Sequence, residues 1–232
     1  MKSALDLPPS LLAVVRAVDV PADYDAWYAT PRGRWIGETE YALAVRSLAA
    51  QPGERLLDVG CGTGWFSRRA AADGLAVTGV DPNAEWLAYA RAHGPGIAWL
   101  GGDARALPFA DASFDHVLSM AALCFVDDAR RAVAECVRVA RRRFALGWLN
   151  RTSLLYLDKG RQGGSGAYRG ARWQTAREVR DLFAGLPVGR LRVQSAVFLP
   201  SASALARTLE RLVPSTLPCG SVLVVSGDRL LG

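Results

Sequence analysis

Several features that define other classes of protein are missing from these 232 residues. No apolar run approaches the roughly 20 residues that cross a membrane. The apolar run Leu11 to Val15 is too short for a signal peptide and is followed by charged residues, so we expect a cytoplasmic protein. Internal repeats and low-complexity segments are also missing. We therefore predict one domain over residues 1–232, in keeping with a chain that is half hydrophobic.

Cysteine, histidine and lysine are scarce. The four cysteines show no C-x-x-C spacing and there are only two histidines, which predicts reduced, mostly buried thiols and no metal site. Lysine occurs only at Lys2 and Lys159, so the net charge of +6 comes from arginines, which are scattered apart from residues 141–143. Because nucleic-acid binding favours clustered basic residues with interleaved aromatics, a nucleic-acid partner is disfavoured.

A glycine-rich stretch stands near the centre of the predicted fold. The apolar segment Leu56 to Val59 leads into Gly60-Cys61-Gly62-Thr63-Gly64, and a helix-forming segment begins at Trp65. A strand, a glycine loop and a helix N-terminus in this order form a nucleotide-binding turn, because the backbone can approach a ligand closely. The spacing is G-x-G-x-G rather than the dinucleotide pattern G-x-G-x-x-G, and no Gly-Lys-Ser/Thr follows, which excludes a P-loop.

Strand and helix patterns alternate after this loop. The alternation predicts a parallel α/β sheet with helices on both faces. We expect residues 1–20 to form a short helix or an irregular arm, and residues 24–35 to be irregular and aromatic, before a helix over 38–50. The predicted strands after the loop are 76–80, 97–100, 114–120, 144–149, 190–199 and 221–226, and the predicted helices are 65–72, 84–92, 127–140, 175–184 and 201–212.

Three acidic residues follow successive predicted strands: Asp58, Asp81 and Asp103. Ligands of open α/β sheets bind beyond the carboxyl ends of the strands, so these carboxylates are expected to converge on one crevice. Asp81 lies near the interval of about 20 residues at which an acid binds ribose hydroxyls. A helix-capping turn at Asp81-Pro82-Asn83 is the alternative.

These residues carry a resemblance to a known family. The loop Asp58-x-Gly60-x-Gly62-x-Gly64, followed by Val80-Asp81-Pro82 and Gly102-Asp103-Ala104, resembles class I S-adenosylmethionine-dependent methyltransferases, in particular the ubiquinone/menaquinone-biosynthesis-like, type 11 branch. The resemblance covers about residues 55–149. It implies a Rossmann-like, seven-stranded, mostly parallel sheet whose last strand is antiparallel, with a small cap. It also implies S-adenosylmethionine as the cofactor and S-adenosylhomocysteine as the product.

The same resemblance implies a set of site residues. Asp81 would bind ribose, Asp103 the adenine amino group, the Ala104 backbone the adenine ring, and Met120 and Ala121 the methionine end. The expected cofactor-binding residues are Tyr24, Tyr28, Asp58, Gly60, Cys61, Gly62, Gly64, Asp81, Pro82, Asp103, Ala104, Met120 and Ala121. Residues 150–174 are rich in glycine and are expected to form a lid-like insertion. The expected substrate residues are Trp27, Trp35, Tyr156, Tyr168 and Arg172.

We expect methyl transfer to a small-molecule acceptor by in-line displacement, with no catalytic acid–base pair assigned. An RNA or protein methyltransferase is an alternative favoured only by the basic composition, and the Asn/Asp-Pro-Pro-Tyr motif of amino-directed nucleic-acid enzymes is missing. A non-catalytic S-adenosylmethionine-binding regulator is another alternative. The glycine spacing disfavours a nicotinamide dehydrogenase. The acceptor atom and the oligomeric state are left open.

Overall fold

The computed structural model describes residues 20–164 and 166–230. Seven strands form one sheet in the order β3-β2-β1-β4-β5-β7-β6. All neighbouring strands are parallel except β7, which is antiparallel to both β5 and β6. This topology confirms the predicted seven-stranded, mostly parallel sheet. The strands are β1 (Arg55–Val59), β2 (Ala76–Asp81), β3 (Ala98–Gly101), β4 (Phe114–Met120), β5 (Ala140–Leu149), β6 (Val188–Ala196) and β7 (Val222–Arg229).

Helices cover both faces of the sheet, as predicted. The helices are α1 (Pro21–Ala29), α2 (Pro31–Leu48), α3 (Trp65–Ala72), α4 (Ala84–His93), α5 (Ala129–Val139), α6 (Ala176–Asp181) and α7 (Ala204–Leu212). Buried residues of α5 and α6 pack against one face, together with Phe144 and Trp148 of β5. Buried residues of α2 and α3 pack against the other face, together with Leu118 of β4 and Val224 of β7.

The region expected to be irregular, residues 24–35, is helical instead. Pro21 and Pro31 each stand in the first turn of a helix, where the fixed φ of proline favours helix initiation. A single residue, Thr30, separates the two helices and caps both. Its hydroxyl accepts a hydrogen bond from the Gly33 amide at 3.0 Å and donates one to the Trp27 carbonyl at 2.7 Å. The prediction for residues 1–19 lies outside the described residues.

Other boundaries moved by a few residues for local reasons. Strand β5 starts at Ala140, directly after α5 ends at Val139, so no turn separates them. Helix α6 is shorter than predicted, but Thr175 caps it as expected, in a capping box with Glu178.

The lid-like insertion is built from short turns rather than extended loop. It contains a π-turn at Tyr156–Gly160 and 3₁₀ turns at Arg161–Gly163 and Gly166–Tyr168. Its ends are joined by a bridge between Asn150 and Gln174. The insertion is therefore fixed at its base, and its glycine-rich middle extends from the carboxyl end of β5.

The strand order reverses between β1 and β4, because β2 and β3 lie on one side of β1 while β4 and β5 lie on the other. A crevice forms at such a switch point, beyond the carboxyl ends of the strands. The glycine loop follows β1 at this point. The fold thus places the loop at the position where open α/β sheets bind ligands.

Candidate active site

A cavity of about 390 Å³, here called the first cavity, lies beyond the carboxyl ends of β1 and β4. It is bounded by the glycine loop, by the ends of three strands, by α1 and by the 150–174 insertion. Its lining includes nine of the thirteen predicted cofactor residues: Tyr24, Tyr28, Asp58, Gly60, Cys61, Gly62, Asp81, Met120 and Ala121. The remaining lining residues are Thr63, Trp65, Phe66, Trp86, Ala122, Phe125, Gly166, Ala167 and Arg169.

The loop glycines adopt conformations that other residues rarely reach. Gly60, Gly62 and Gly64 have φ of 72°, 54° and 81°. A Cβ on Gly60 would lie 2.3 Å from the Ala122 Cβ, and one on Gly64 would lie 2.4 Å from the Trp99 ring. The positive φ and the close neighbours together require glycine at these two positions. Gly64 acts through packing, since it is not part of the cavity wall.

Asp58 ends β1 beneath this loop. Its side chain is only 2% exposed, and its carboxylate accepts a hydrogen bond of 2.6 Å from the Ser67 hydroxyl on α3. Burial, with the nearby Asp81 charge as a further cause, raises the pKa of Asp58 to about 7. The residue therefore connects β1 to α3 and is partly protonated near neutral pH.

We expect Asp58→Asn to gain stability relative to wild type as pH rises. Because the folded-state pKa is raised, native wild type binds the proton more tightly than the unfolded chain, so its stability falls between about pH 4 and pH 7. Asparagine has no charge to bury, although its amide protons need partners. The free energy of unfolding of the variant minus that of wild type, measured with urea, should be at least about 1 kcal/mol more favourable to the variant at pH 8 than at pH 4. An equal difference at both pH values would assign Asp58 an ordinary pKa.

Asp81, at the end of β2, faces the same cavity. Its two carboxylate oxygens accept backbone hydrogen bonds of 2.9 Å from Gly62 and from Asn83. Burial raises the pKa of Asp81, although these two bonds act in the opposite direction. The cap of α4 is Asn83, whose side chain accepts from Glu85 and Trp86. Since a carboxylate has about four acceptor sites, Asp81 retains capacity for two ligand hydroxyls.

Asp103, which the sequence predicts as a cofactor residue, does not line the first cavity. Its side chain is 46% exposed and pairs with the Arg105 guanidinium at 2.6 Å. Hydrogen bonds from the Arg105 side chain and backbone lower the pKa of Asp103 to about 2. Asp103, Ala104 and Pro82 are not among the residues lining the first cavity. Their contact with adenine stays a prediction, and it requires the Arg105 side chain to share or leave the carboxylate.

Aromatic side chains from α1, α3 and α4 close one side of the first cavity. The Tyr28 ring stacks on Trp65 with centroids 4.5 Å apart, and the Tyr24 ring lies 4.9 Å from Trp86. A Cβ on Gly37 would lie 2.8 Å from both the Tyr28 and the Trp65 rings, so this glycine allows the helices to approach. Sequence reasoning missed Trp65 and Trp86. The glycines four residues apart on α2, at 33 and 37, are the signal that could have indicated close helix packing.

An ion pair joins α1 to the helix that follows the loop. The Arg68 guanidinium bonds to the Asp25 carboxylate and to the Thr63 carbonyl, each at 2.6 Å. Tyr89 also donates to Asp25 at 3.4 Å. These contacts link the aromatic wall to the loop.

A second cavity of about 380 Å³ adjoins the first. The two share Tyr24, Tyr28, Ala121, Phe125 and Ala167. The second cavity is lined further by Asp23, Trp27, Arg32, Ile36, Glu40, Leu149, Leu155, Lys159, Tyr168, Val197, Pro200 and Ser221. Its wall is mainly apolar and aromatic, which is the composition of a small-molecule site.

Of the five predicted substrate residues, Trp27 and Tyr168 line this second cavity. The other three lie elsewhere. Trp35 packs under the Arg207 guanidinium, and Tyr156 packs against Trp173. Arg172 bonds to Asp127 and to the Val126 carbonyl. No described contact brings these three side chains to the wall of either cavity.

The lining of the first cavity fits a nucleoside carrying a positive charge. Two carboxylates, Asp58 and Asp81, face it, and the single basic side chain among its lining residues is Arg169. A pyrophosphate would require more positive charge or open amide donors. The sulfonium of S-adenosylmethionine is compatible with carboxylates and with the π faces of Tyr24 and Tyr28. We therefore consider the residues suited to this cofactor.

Residues outside the two cavities have structural roles or no assigned role. His116 is buried in β4 and bonds to Glu54 at 2.8 Å, in agreement with a structural histidine. Cys61, Cys124 and Cys136 are buried and Cys219 is exposed, all as free thiols. Within residues 20–164 and 166–230, no group of three or more potential metal ligands occurs. In the same part of the chain, no helix combines the length and the apolar character needed to cross a membrane.

Comparisons with known proteins agree with this geometry. A family model described as "Methyltransferase domain" matches residues 57–143. A demethylmenaquinone methyltransferase of Renibacterium salmoninarum is 41% identical over 60% of this chain and 58% of its own length. A malonyl-[acyl-carrier protein] O-methyltransferase of Erwinia pyrifoliae is 45% identical over 40% of this chain and 36% of its own length. The chain thus spans about a third to three fifths of these curated relatives.

A solved structure matches over most of both chains. It is a SAM-dependent methyltransferase, a possible histamine N-methyltransferase, from Thermotoga maritima. It is 26% identical, covers 90% of this chain and 95% of its own, and gives a TM-score of 0.72. Together with the glycine loop at the sheet's switch point, these matches show the class I S-adenosylmethionine-dependent methyltransferase fold and support membership of that family.

Proposed function

We propose that this protein transfers the methyl group of S-adenosylmethionine to a small-molecule acceptor. The observation that carries the proposal is the pair of adjoining cavities, one bounded by the glycine loop and Asp81, the other mainly apolar. Their shared residues, which include Tyr24, Tyr28 and Ala121, would lie between a cofactor and an acceptor. Relatives named demethylmenaquinone methyltransferase and malonyl-[acyl-carrier protein] O-methyltransferase are in keeping with varied acceptors.

The protein's own part in such a reaction is binding, orientation and exclusion of water. S-adenosylmethionine supplies a methyl group already activated by its sulfonium, so orientation of the acceptor can account for much of the rate. Asp81 would hold the ribose, and the loop amides would face the methionine end. Tyr24 and Tyr28 would separate the reacting centre from solvent.

The second cavity also favours a small acceptor over RNA or a protein segment. Large polymers need an open, charged surface. Here the wall is formed by residues such as Ile36, Leu149 and Val197, and the basic side chains in it are Arg32 and Lys159. An acceptor of limited size with an apolar body fits this lining.

Isothermal calorimetry tests the proposed function directly. We expect S-adenosylhomocysteine to bind and NAD to bind much more weakly, because the cavity presents carboxylates where NAD carries a pyrophosphate. Tighter binding of NAD than of S-adenosylhomocysteine would reject a methyltransferase function. Adenosine serves as a control for binding through the nucleoside alone.

Ligand binding is expected to order two segments, α1 and the 150–174 insertion. Both contribute to the first cavity, through Tyr24 and Tyr28 and through Ala167 and Arg169. Glycine-rich chain is costly to order, and contacts with a bound ligand offset that cost. Hydrogen exchange should therefore slow in both segments with S-adenosylhomocysteine, more than in α5. Protection confined to residues 60–64 would leave the insertion without a closing role.

A further inference from the structure

The carboxyl group of Glu40 has no described partner. It lies in the middle of α2 and lines the second cavity. Among residues 20–164 and 166–230 it makes no hydrogen bond and no ion pair, whereas its neighbour Glu38 pairs with Arg69 at 3.1 Å. An unpartnered carboxyl group in an apolar setting is costly to maintain. The side chain is half-buried, so a ligand that fills the cavity would cover the carboxyl group and would have to supply its partner.

The electrostatic surroundings of Glu40 are negative. Two causes raise the pKa of Glu40 to about 8: first its enclosure by protein, and second the negative charge of Glu210. Glu210 is itself held by backbone hydrogen bonds from Val197 at 2.9 Å and from Phe198 at 3.0 Å. Glu40 therefore gains little from nearby cations, and it can exchange a proton near neutral pH.

The other ionisable groups around the cavity do not neutralise Glu40. Arg32 and Lys159 line the cavity without pairing with it, and Lys159 is 44% exposed and lies 3.4 Å from Asp158. Asp23 adds a further negative charge. The three tyrosines of the wall are neutral near pH 7, since the ordinary pKa of tyrosine is about 10. Burial raises the pKa of each further: Tyr24, Tyr28 and Tyr168.

We propose that the second cavity takes an apolar amine as methyl acceptor and that Glu40 binds its amino group and accepts its proton. This inference rests on the proposed function and specifies its substrate class. Tyrosine and tryptophan faces in the wall, including Tyr24, Tyr28 and Trp27, are suited to a nitrogen that carries positive charge. The apolar residues would hold the body of the amine.

The proton and electron balance of the transfer is simple. The ammonium group gives one proton to the ionised Glu40, which leaves a neutral amine and a carboxylic acid. The nitrogen lone pair then forms a bond to the methyl carbon while the carbon–sulfur bond breaks and its electron pair stays on sulfur. Positive charge moves from sulfur to nitrogen. Glu40 keeps this proton as the methylated ammonium leaves and so returns to its protonated resting form, because the one proton lost per turnover leaves when the amine binds.

An amine fits this field better than a phenol, a thiol or a carboxylic acid. Those acceptors attack as anions, and the charges of Glu40 and Glu210 would oppose their ionisation. An amine becomes more positive during attack, so the Glu210 charge, which remains after Glu40 has taken up the proton, favours its transition state. The sign of the local charge thus selects a nitrogen nucleophile.

The test compares binding of 2-phenylethylamine and its isostere 2-phenylethanol to protein saturated with S-adenosylhomocysteine. Wild type, Glu40→Gln and the matched control Glu38→Gln are measured by calorimetry at pH 7 in two buffers of different ionisation enthalpy. We expect wild type and Glu38→Gln to bind the amine at least tenfold more tightly than the alcohol. We also expect release of roughly one proton per amine, since Glu40 is mostly protonated before binding. Glu40→Gln should reduce the preference to about twofold or less and abolish proton release.

Affinity for S-adenosylhomocysteine, measured first on all three proteins, separates the two proposals. If wild type does not bind it, the proposed function fails. If all three bind it and Glu40→Gln keeps the amine preference and the proton release, the role of Glu40 is overturned. If wild type shows no preference for amines across several arylalkylamines, or prefers the alcohol or a phenol, the amine assignment is overturned.

Discussion

Asp81→Ala should weaken binding of S-adenosylhomocysteine at least about tenfold while the protein stays folded. The substitution would remove the two charge-assisted hydrogen bonds that we propose Asp81 makes to ribose, each contributing about 1.5–3 kcal/mol. A single factor of ten corresponds to about 1.4 kcal/mol, so tenfold is a lower bound. Asp81→Ala also leaves the Gly62 and Asn83 amides without the acceptor that Asp81 provides in wild type, at 2.9 Å from each. Calorimetry gives the affinity, and circular dichroism checks the fold.

The matched control for Asp81 is Asn83→Ala. Asn83 caps α4 but does not line either cavity. Loss of a cap typically costs about 1 kcal/mol of stability. We therefore expect Asn83→Ala to lower the melting temperature with little change in affinity. An unchanged dissociation constant in Asp81→Ala would show that Asp81 serves the loop and the α4 turn alone.

Gly60→Ala should destabilise the protein by about 3 kcal/mol, as measured by urea unfolding. An alanine at φ of 72° would occupy the left-handed region, which costs about 1–2 kcal/mol. Its methyl group would also lie 2.3 Å from the Ala122 Cβ, and such overpacking typically costs about 1–3 kcal/mol. For a domain of this size the melting temperature should fall by about 6–12 °C.

Two further variants separate the two causes. Gly53 has φ of 85°, but a Cβ added there would have no neighbour within 4 Å, so Gly53→Ala measures the backbone cost alone. Ala122→Gly in the Gly60→Ala background removes the colliding methyl group and should recover about half of the loss. If the double variant is no more stable than Gly60→Ala, the contact with Ala122 is not what requires glycine at this position.

Local patterns allowed the sheet and the glycine loop to be predicted. The loop follows β1 and precedes α3 in the chain, so the residues that define it, such as Asp58 and Gly60, are close together in the sequence. The helical course of residues 21–35 was missed because proline, glycine and aromatic residues were interpreted as breakers. In the structure Pro31 follows the cap Thr30, where proline favours a helix start.

Trp27 and Tyr168 were predicted as substrate residues, but the rest of the wall of the second cavity could not be predicted, because it comes from distant parts of the chain. Glu40 and Tyr168 are far apart in the sequence, yet both line it. On α2, Glu40 reads as one of several charged residues between apolar positions. Asp103 is a similar case. The sequence places Arg105 near it, but does not reveal that Asp103 lies outside the wall of the first cavity.

Thr30, the only residue between α1 and α2, has a thermodynamic consequence. It attaches α1, with Tyr24 and Tyr28, to the rest of the chain through one extended residue. Because these two tyrosines belong to the walls of both cavities, a ligand that orders them in one cavity also completes the other. If the first ligand orders the two tyrosines, the second ligand binds with a smaller loss of conformational entropy. We therefore expect binding of the two ligands to be coupled, with each raising the affinity for the other by the same factor.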